Sequence, residues 1–148
     1  SLLEQKVLYV LDHHPVNHCS FKENGGIWPA HCVMQTRGGD IHAKFYKIES
    51  PDNRPSRDNK FYKGCNPAKE QYSGFEGHNR DGLELNNALS NNVVVSGIAT
   101  EFCIRETCFD LIKAGHRVFL LKDALGYVDH ENHQKVLKEL SRIGVKLI

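Results

Sequence analysis

Long apolar runs are absent from this chain. No stretch approaches the roughly 20 residues that a bilayer crossing requires, which excludes a membrane-spanning helix. An excess of one charge sign is absent as well. Lys and Arg number 19 against 18 Asp and Glu, a net charge of +1 that offers nucleic acid no basic footprint. No Cys-x-x-Cys pair exists, so a thiol redox role has no motif to rest on. Internal repeats and low-complexity tracts are missing too. The five cysteines (Cys19, Cys32, Cys65, Cys103 and Cys108) are odd in number and irregular in spacing. That argues against a secreted disulfide framework and for a reducing compartment, the cytoplasm. Methionine occurs once, at Met34, and the chain opens on Ser1 with no signal peptide; an N-terminally incomplete chain is the expectation.

What is present is the composition of an ordinary globular domain: 40% hydrophobic and 25% charged over 148 residues, with nine His. Disorder, coiled coil and collagen are excluded, and a single domain over residues 1–148 is expected. Residues 7–11 form a short apolar run suited to a buried strand, and residues 12–45 read as a long functional loop. Residues 49–60, rich in Pro, Asp, Asn and Arg, read as exposed and irregular, and residues 61–63 as a brief strand. A helix is expected over residues 83–89, with Leu83, Leu85, Ala88 and Leu89 apolar, then a central strand at residues 93–95 ending at Ser96-Gly97. Thr100 is expected to cap a helix over residues 101–114, with Phe102, Ile104, Cys108, Leu111 and Ile112 inward and Gly115 closing it. A strand at 117–121, a helix at 132–143 with Val136, Leu137, Leu140 and Ile143 inward, and a last strand at 145–148 complete the pattern. Such alternation means right-handed βαβ units: an α/β fold of three layers, α/β/α, around a central, mostly parallel sheet. Ligands in such sheets bind beyond the carboxyl ends of the strands, here just after Leu11, Lys63 and Gly97.

Three constellations sit near those ends. Asp12 and His14 project to the same side of an extended chain, and with His31 they make a three-ligand N/O set. Three protein ligands with open positions suit a catalytic or substrate-binding divalent metal. His18 is a fourth ligand, a supporting donor or a loop residue, and the whole segment is alternatively a His-rich polar loop without metal. The second constellation, Ser96-Gly97-Ile98-Ala99-Thr100-Glu101-Phe102-Cys103, puts Cys103 in the first turn of a helix, where the helix dipole and free amides favour a thiolate. The alternative is a Cys packed between helix and sheet, a role that suits Cys108. The third runs Phe61-Tyr62-Lys63-Gly64, then Tyr72-Ser73-Gly74-Phe75; a Lys at a strand end either steadies a thiolate or is a solvated surface charge.

Taken together these blocks resemble the nicotinamidase branch of the isochorismatase-like cysteine hydrolases. The matching stretches are Asp12-x-His14-Pro15 with His18, Ser20 and Phe21; Trp28-Pro29-x-His31-Cys32; Lys63-Gly64 with Tyr72-Ser73-Gly74-Phe75; and Gly97-Ile98-Ala99-Thr100-Glu101-x-Cys103. They occur in the family's order along the whole chain. The resemblance implies that Cys103 attacks the carboxamide carbon of nicotinamide, giving a thioester and ammonia, and that Lys63 holds the thiolate. It implies an oxyanion hole from the amides of Ala99 and Cys103 and a cis peptide between Ile98 and Ala99. It also implies a metal on Asp12, His14 and His31, zinc first with iron or manganese as alternatives, whose open position takes the pyridine nitrogen. Trp28 and Tyr72 would flank the ring, with Ile98 and Phe102 also lining the pocket. The reaction would serve NAD salvage; nicotinamide is the expected partner, with no nucleic acid and no membrane, and a homo-oligomer is left open.

One element of the family pattern is not found. The resemblance calls for a catalytic Asp at the end of a strand preceding the metal motif, and only eleven residues precede Asp12 here. A strand is therefore expected to be missing beside residues 93–95, and with it the general base. The rivals are a sister cysteine amidohydrolase with another substrate and a non-catalytic metal- or nicotinamide-binding domain.

Overall fold

A computed structural model describes residues 6–148. The chain divides into two compact units, one made of the described part of Ser1–Gln71 with Gly77–Glu84, the other of Tyr72–Glu76 with Leu85–Ile148. The expectation for what precedes the first strand falls largely on residues outside the described ones.

The first unit contains two parallel strands, β1 (Tyr9–Asp12) and β2 (Lys60–Lys63), in a register that pairs Asp12 with Lys63. The strand expected over residues 7–11 thus ends one residue later, on the first candidate ligand. Phe61 and Lys63 alternate inward on β2 while Lys60 and Tyr62 are half-buried, the period of two that a pleated strand imposes. The connection between the strands is irregular, with short 3₁₀ turns at Lys22–Asn24, Arg37–Gly39, Ala43–Lys47 and Pro51–Asn53. The stretch 49–60 is not uniformly exposed. Pro55 and Asn59 are buried. Asn59 donates to the Arg54 carbonyl at 2.9 Å, accepts from the Ser56 amide at 2.7 Å, and offers its own carbonyl to the Tyr9 amide at 2.8 Å. A side chain that closes its own turn and caps a strand start leaves no room for solvent there.

The second unit contains the single helical turn α1 (Leu85–Ala88) and three parallel strands, β3 (Asn92–Gly97), β4 (Arg117–Leu125) and β5 (Lys146–Leu147), in the order β3-β4-β5. Helices α2 (Arg105–Lys113) and α3 (His130–Arg142) form the crossovers. The α/β class with parallel strands is as expected. The central strand is β4, however, and not the Val93–Val95 run; among the described residues β3 pairs on one side only, and Val94 is exposed. Two crossovers in sequential strand order, of the same hand by the usual rule for parallel strands, bring both helices to the same face. Accordingly Ile104, Cys108 and Leu111 join Val136, Leu137 and Leu140 in one apolar cluster with Val118 and Leu120 of β4. Asp129 caps α3 by accepting from the Asn132 amide at 2.8 Å. The helix expected over 83–89 shrinks to one turn because Leu83 is taken: its amide donates to the Asn79 side chain and its carbonyl accepts from the Asn79 amide, both at 2.9 Å. No helix among the described residues is long and apolar enough to cross a membrane.

Candidate active site

At the end of β1, Asp12 and His14 do share a side: Asp12 Oδ1 lies 3.8 Å from His14 Nε2. His31, seventeen positions on, is brought to them by backbone pairing. The His14 amide donates to the Cys32 carbonyl at 3.0 Å and the Met34 amide to the His14 carbonyl at 2.8 Å, a parallel bridge between His14 and Val33. Phe21, fully buried, packs edge-on against the His14 and His31 rings at 5.6 and 5.4 Å. The outcome is a group in which one ligand atom each from Asp12, His14 and His31 lies within 4.8 Å of the others.

The hydrogen bonds behind these rings settle which nitrogen each presents. His14 Nδ1 meets the Gly64 carbonyl at 2.8 Å and His31 Nδ1 the Pro29 carbonyl at 2.8 Å. A carbonyl only accepts, so each Nδ1 carries a proton, and in a neutral ring the lone pair is then on Nε2. Burial holds His14 below the usual imidazole range, against the opposing pull of the Gly64 carbonyl and Asp12, so the neutral, ligating form is favoured. These residues fit a divalent cation. Gly64 makes the arrangement sterically possible: its φ is +66°, and a Cβ there would lie 2.3 Å from His14 Cε1.

His18 is fully buried, its ring 4.2 Å from that of His14. Its Nδ1 meets Ser20 Oγ at 2.7 Å and accepts from the Ser20 amide at 3.2 Å. An amide only donates, so neutral His18 carries its proton on Nε2, which has no hydrogen-bond partner among the described residues. In this arrangement His18 is a buried donor beside the cluster and offers no lone pair to an ion.

Lys63 is buried, and its ammonium pairs with Asp12 and donates to the Gln71 carbonyl at 3.1 Å. Gln71 also accepts from the Gly64 amide at 2.9 Å through its side chain. Gln71 carried no signal in the sequence, because a polar residue in a loop looks the same whether or not it braces a strand end. Trp28 is half-buried with its ring 6.3 Å from that of His31.

Cys103, Ala99, Ile98, Phe102 and Tyr72 belong to the second unit. The Ile98–Ala99 peptide is cis, as the resemblance implies. The α-helix does not begin at Glu101 with Thr100 as its cap. Thr100–Ile104 forms a wide turn, with the Ile104 amide donating back five residues to the Ala99 carbonyl at 3.2 Å, and regular α-helix starts at Arg105. The Thr100 hydroxyl instead donates to the Gly126 carbonyl at 3.0 Å. Cys103 is half-buried in that turn. Phe102 lies against Tyr72, ring centroids 5.5 Å apart, while Ile98 is exposed. Cys108, one turn deeper, is fully buried and burial pushes its thiol up to about 12, the packed role the sequence suggests for it.

Comparisons with known proteins bear on both units. The nicotinamidase/pyrazinamidase of Mycobacterium tuberculosis is 34% identical over 130 residues, covering 82% of this chain and 62% of that protein; the chain thus spans less than two thirds of that relative's length. The crystal structure of the pyrazinamidase of Pyrococcus horikoshii in complex with zinc superimposes with a TM-score of 0.78 at 34% identity, over 97% of this chain and 74% of that one. PnC1 from L. infantum, solved in complex with nicotinate, gives a TM-score of 0.79 at 31% identity, over 97% and 71%. The family model described as "Isochorismatase domain" matches residues 3–148, nearly the whole sequence. A match running from before β1 through β5 covers every block singled out above, and on that ground the chain belongs to the isochorismatase domain family.

Proposed function

We propose that the chain carries the chemistry of an amidohydrolase that converts nicotinamide to nicotinate and ammonia. The observation that carries this reading is the convergence of Asp12, His14 and His31 with both imidazoles turned to present Nε2. The relatives named nicotinamidase and pyrazinamidase, one of them solved with zinc and another with nicotinate, support it.

Cys103 is the proposed nucleophile. Its thiolate sulfur bonds to the carboxamide carbon as the carbonyl π pair moves onto oxygen. The amides of Ala99 and Cys103 are the proposed donors to that oxyanion. Collapse reforms the carbonyl and breaks the C–N bond; the nitrogen takes up the proton the thiol gave and leaves as ammonia. Water then adds to the thioester, the C–S bond breaks, and nicotinate and the thiol are restored. Lys63 is the cation assigned to the thiolate charge. Trp28, Tyr72, Ile98 and Phe102 supply apolar surface to the pyridine ring. Asp12, His14 and His31 would hold a divalent ion, zinc first and iron or manganese as alternatives, which when bound supplies an electrophilic position for the pyridine nitrogen. The reaction is placed in NAD salvage, in the cytoplasm.

The test is ammonia release from nicotinamide, pyrazinamide and an acyclic amide by metal-loaded protein. The two pyridine-type amides are expected to turn over and the acyclic one not. Cys103→Ala is expected to abolish release while isothermal titration still shows nicotinamide binding. Substantial activity in that variant would remove the assigned nucleophile. Equal turnover of the acyclic amide would remove the substrate assignment.

A further inference from the structure

We propose that Glu101 is a positioning residue for the nucleophile: its carboxylate, tied to the backbone amides of Val128 and Asp129, holds the turn that carries Cys103. The inference rests on the reading of Cys103 as the attacking thiol. Glu101 Oε1 accepts from the Val128 amide at 2.9 Å and from the Asp129 amide at 2.6 Å, and Oε2 from Val128 at 3.2 Å. Those amides lie just ahead of α3, where backbone donors lack an intrahelical acceptor and the helix end carries partial positive charge. A carboxylate on such donors makes charge-assisted bonds stronger than neutral ones. Asp129 does not compete, because its own side chain is occupied capping the Asn132 amide.

These bonds join the turn that carries Cys103 to something rigid. Helix α3 is anchored in the apolar cluster through Val136, Leu137 and Leu140. The same stretch is tied a second time, one residue earlier. The Thr100 amide and hydroxyl both donate to the Gly126 carbonyl, at 2.9 and 3.0 Å, and the Gly126 amide donates to the Gly97 carbonyl at 2.9 Å. Gly126 leaves room for this approach, since a Cβ there would lie 2.2 Å from Ile98 Cγ2 and the Ile98 side chain would have to shift. Consecutive residues Thr100 and Glu101 are therefore both fixed to the 126–129 segment, directly before Phe102 and Cys103. A wide turn is less regular than an α-turn, so the direction of the Cys103 side chain and amide depends on what holds its flanks. A half-exposed Glu ordinarily leaves its carboxylate in water. Here it gives up side-chain freedom to bridge 27 residues of sequence.

Kinetics of ammonia release from nicotinamide by metal-loaded protein decide the matter, with thermal melts run on every variant. Glu101→Ala is expected to lower kcat on the order of 10²-fold, the cost of misplacing an attacking atom by about 1 Å, with KM changed by less than about threefold. Glu101→Gln is expected to recover most of that loss, because Oε1 alone takes both amides. Glu101→Asp, one methylene short, stays slow although it keeps the charge. The proposal is overturned if Glu101→Ala keeps the parent kcat, if Glu101→Gln is as slow as Glu101→Ala, or if kcat, KM and melting temperature deteriorate together. Should Glu101→Ala fail to fold, the Gln and Asp variants carry the same decision: Gln fast and Asp slow supports the tether, equal rates overturn it. Cys103→Ala in parallel separates the two failures. Activity surviving there overturns the nucleophile reading itself, whereas an inactive Cys103→Ala beside an unaffected Glu101→Ala overturns only the tether.

Discussion

The His14 ring is buried; it donates its Nδ1 proton to the Gly64 carbonyl, lies tilted against His18 and faces Asp12. Burial holds both His14 and its neighbour His13 below the usual imidazole range, His13 with help from Arg80. The sign of the resulting pH dependence follows. The folded protein resists protonating these rings, whereas the unfolded chain binds the protons at the ordinary value of about 6.5. Their contribution to stability is complete above that value and is lost as pH falls through the lowered folded values. Metal-free protein should therefore melt at a constant temperature above about pH 7 and at falling temperatures as the pH drops below about 6.5. Asp81 and Glu139, held low by Arg57 and Arg105, act only at lower pH. A melting temperature level across the imidazole window would contradict the assignment. At this scale Asp12 and His14 were legible from their i, i+2 spacing, whereas His31 was suggested by its motif and joined them only through backbone pairing. The roles of Gln71 and Glu101 were not legible, since each depends on a partner whose position the chain does not encode nearby.

At the scale of elements, the end of β2 shapes the Asp12–His14–His31 cluster. Gly64 follows Lys63 directly, adopts a left-handed φ and leaves the space that the His14 ring occupies. Replacing it by alanine forces a Cβ into that ring and strains the turn at once. Gly64→Ala is expected to weaken zinc binding about 10–100-fold, the usual cost of disturbing a ligand's support. Competition against a chromogenic chelator measures this, and unchanged affinity would show that His14 is not held by this turn. The elements themselves were readable to different degrees. α3 stands close to its expected span because Asp129, the Val136–Leu137–Leu140 stripe and Gly144 all act within the helix's own length. α1 and the start of α2 were misread. Leu83 is claimed by Asn79 and Thr100 by Gly126, and tertiary hydrogen bonds of that kind override local propensity.

For the molecule as a whole, metal is the expected source of added stability. A cation that binds only the folded form raises stability with its concentration, by about 2.7 kcal/mol at a hundredfold excess over its Kd. Asp12, His14 and His31 all lie in the unit that holds β1 and β2, so that unit receives the gain. Titrating zinc into stripped protein should raise its melting temperature. Asp12→Asn, which removes the carboxylate, should abolish most of the rise, and a full rise in that variant would move the metal elsewhere.

The amino-acid order alone was enough for the α/β class, for the approximate places of β3, β4 and α3, and for the family to which the motifs belong. Hydrophobic period, capping residues and short signature blocks act over a few residues, and such information survives in one dimension. Other features arose only when distant segments met. Backbone pairing of His14 with Val33 closed the ligand triad, and two crossovers in sequential order made β4 the middle strand of its sheet. A glutamate two residues before Cys103 found its acceptor role 27 residues away. Each of these depends on backbone groups that are identical in every residue, so no side-chain pattern announces where they will meet.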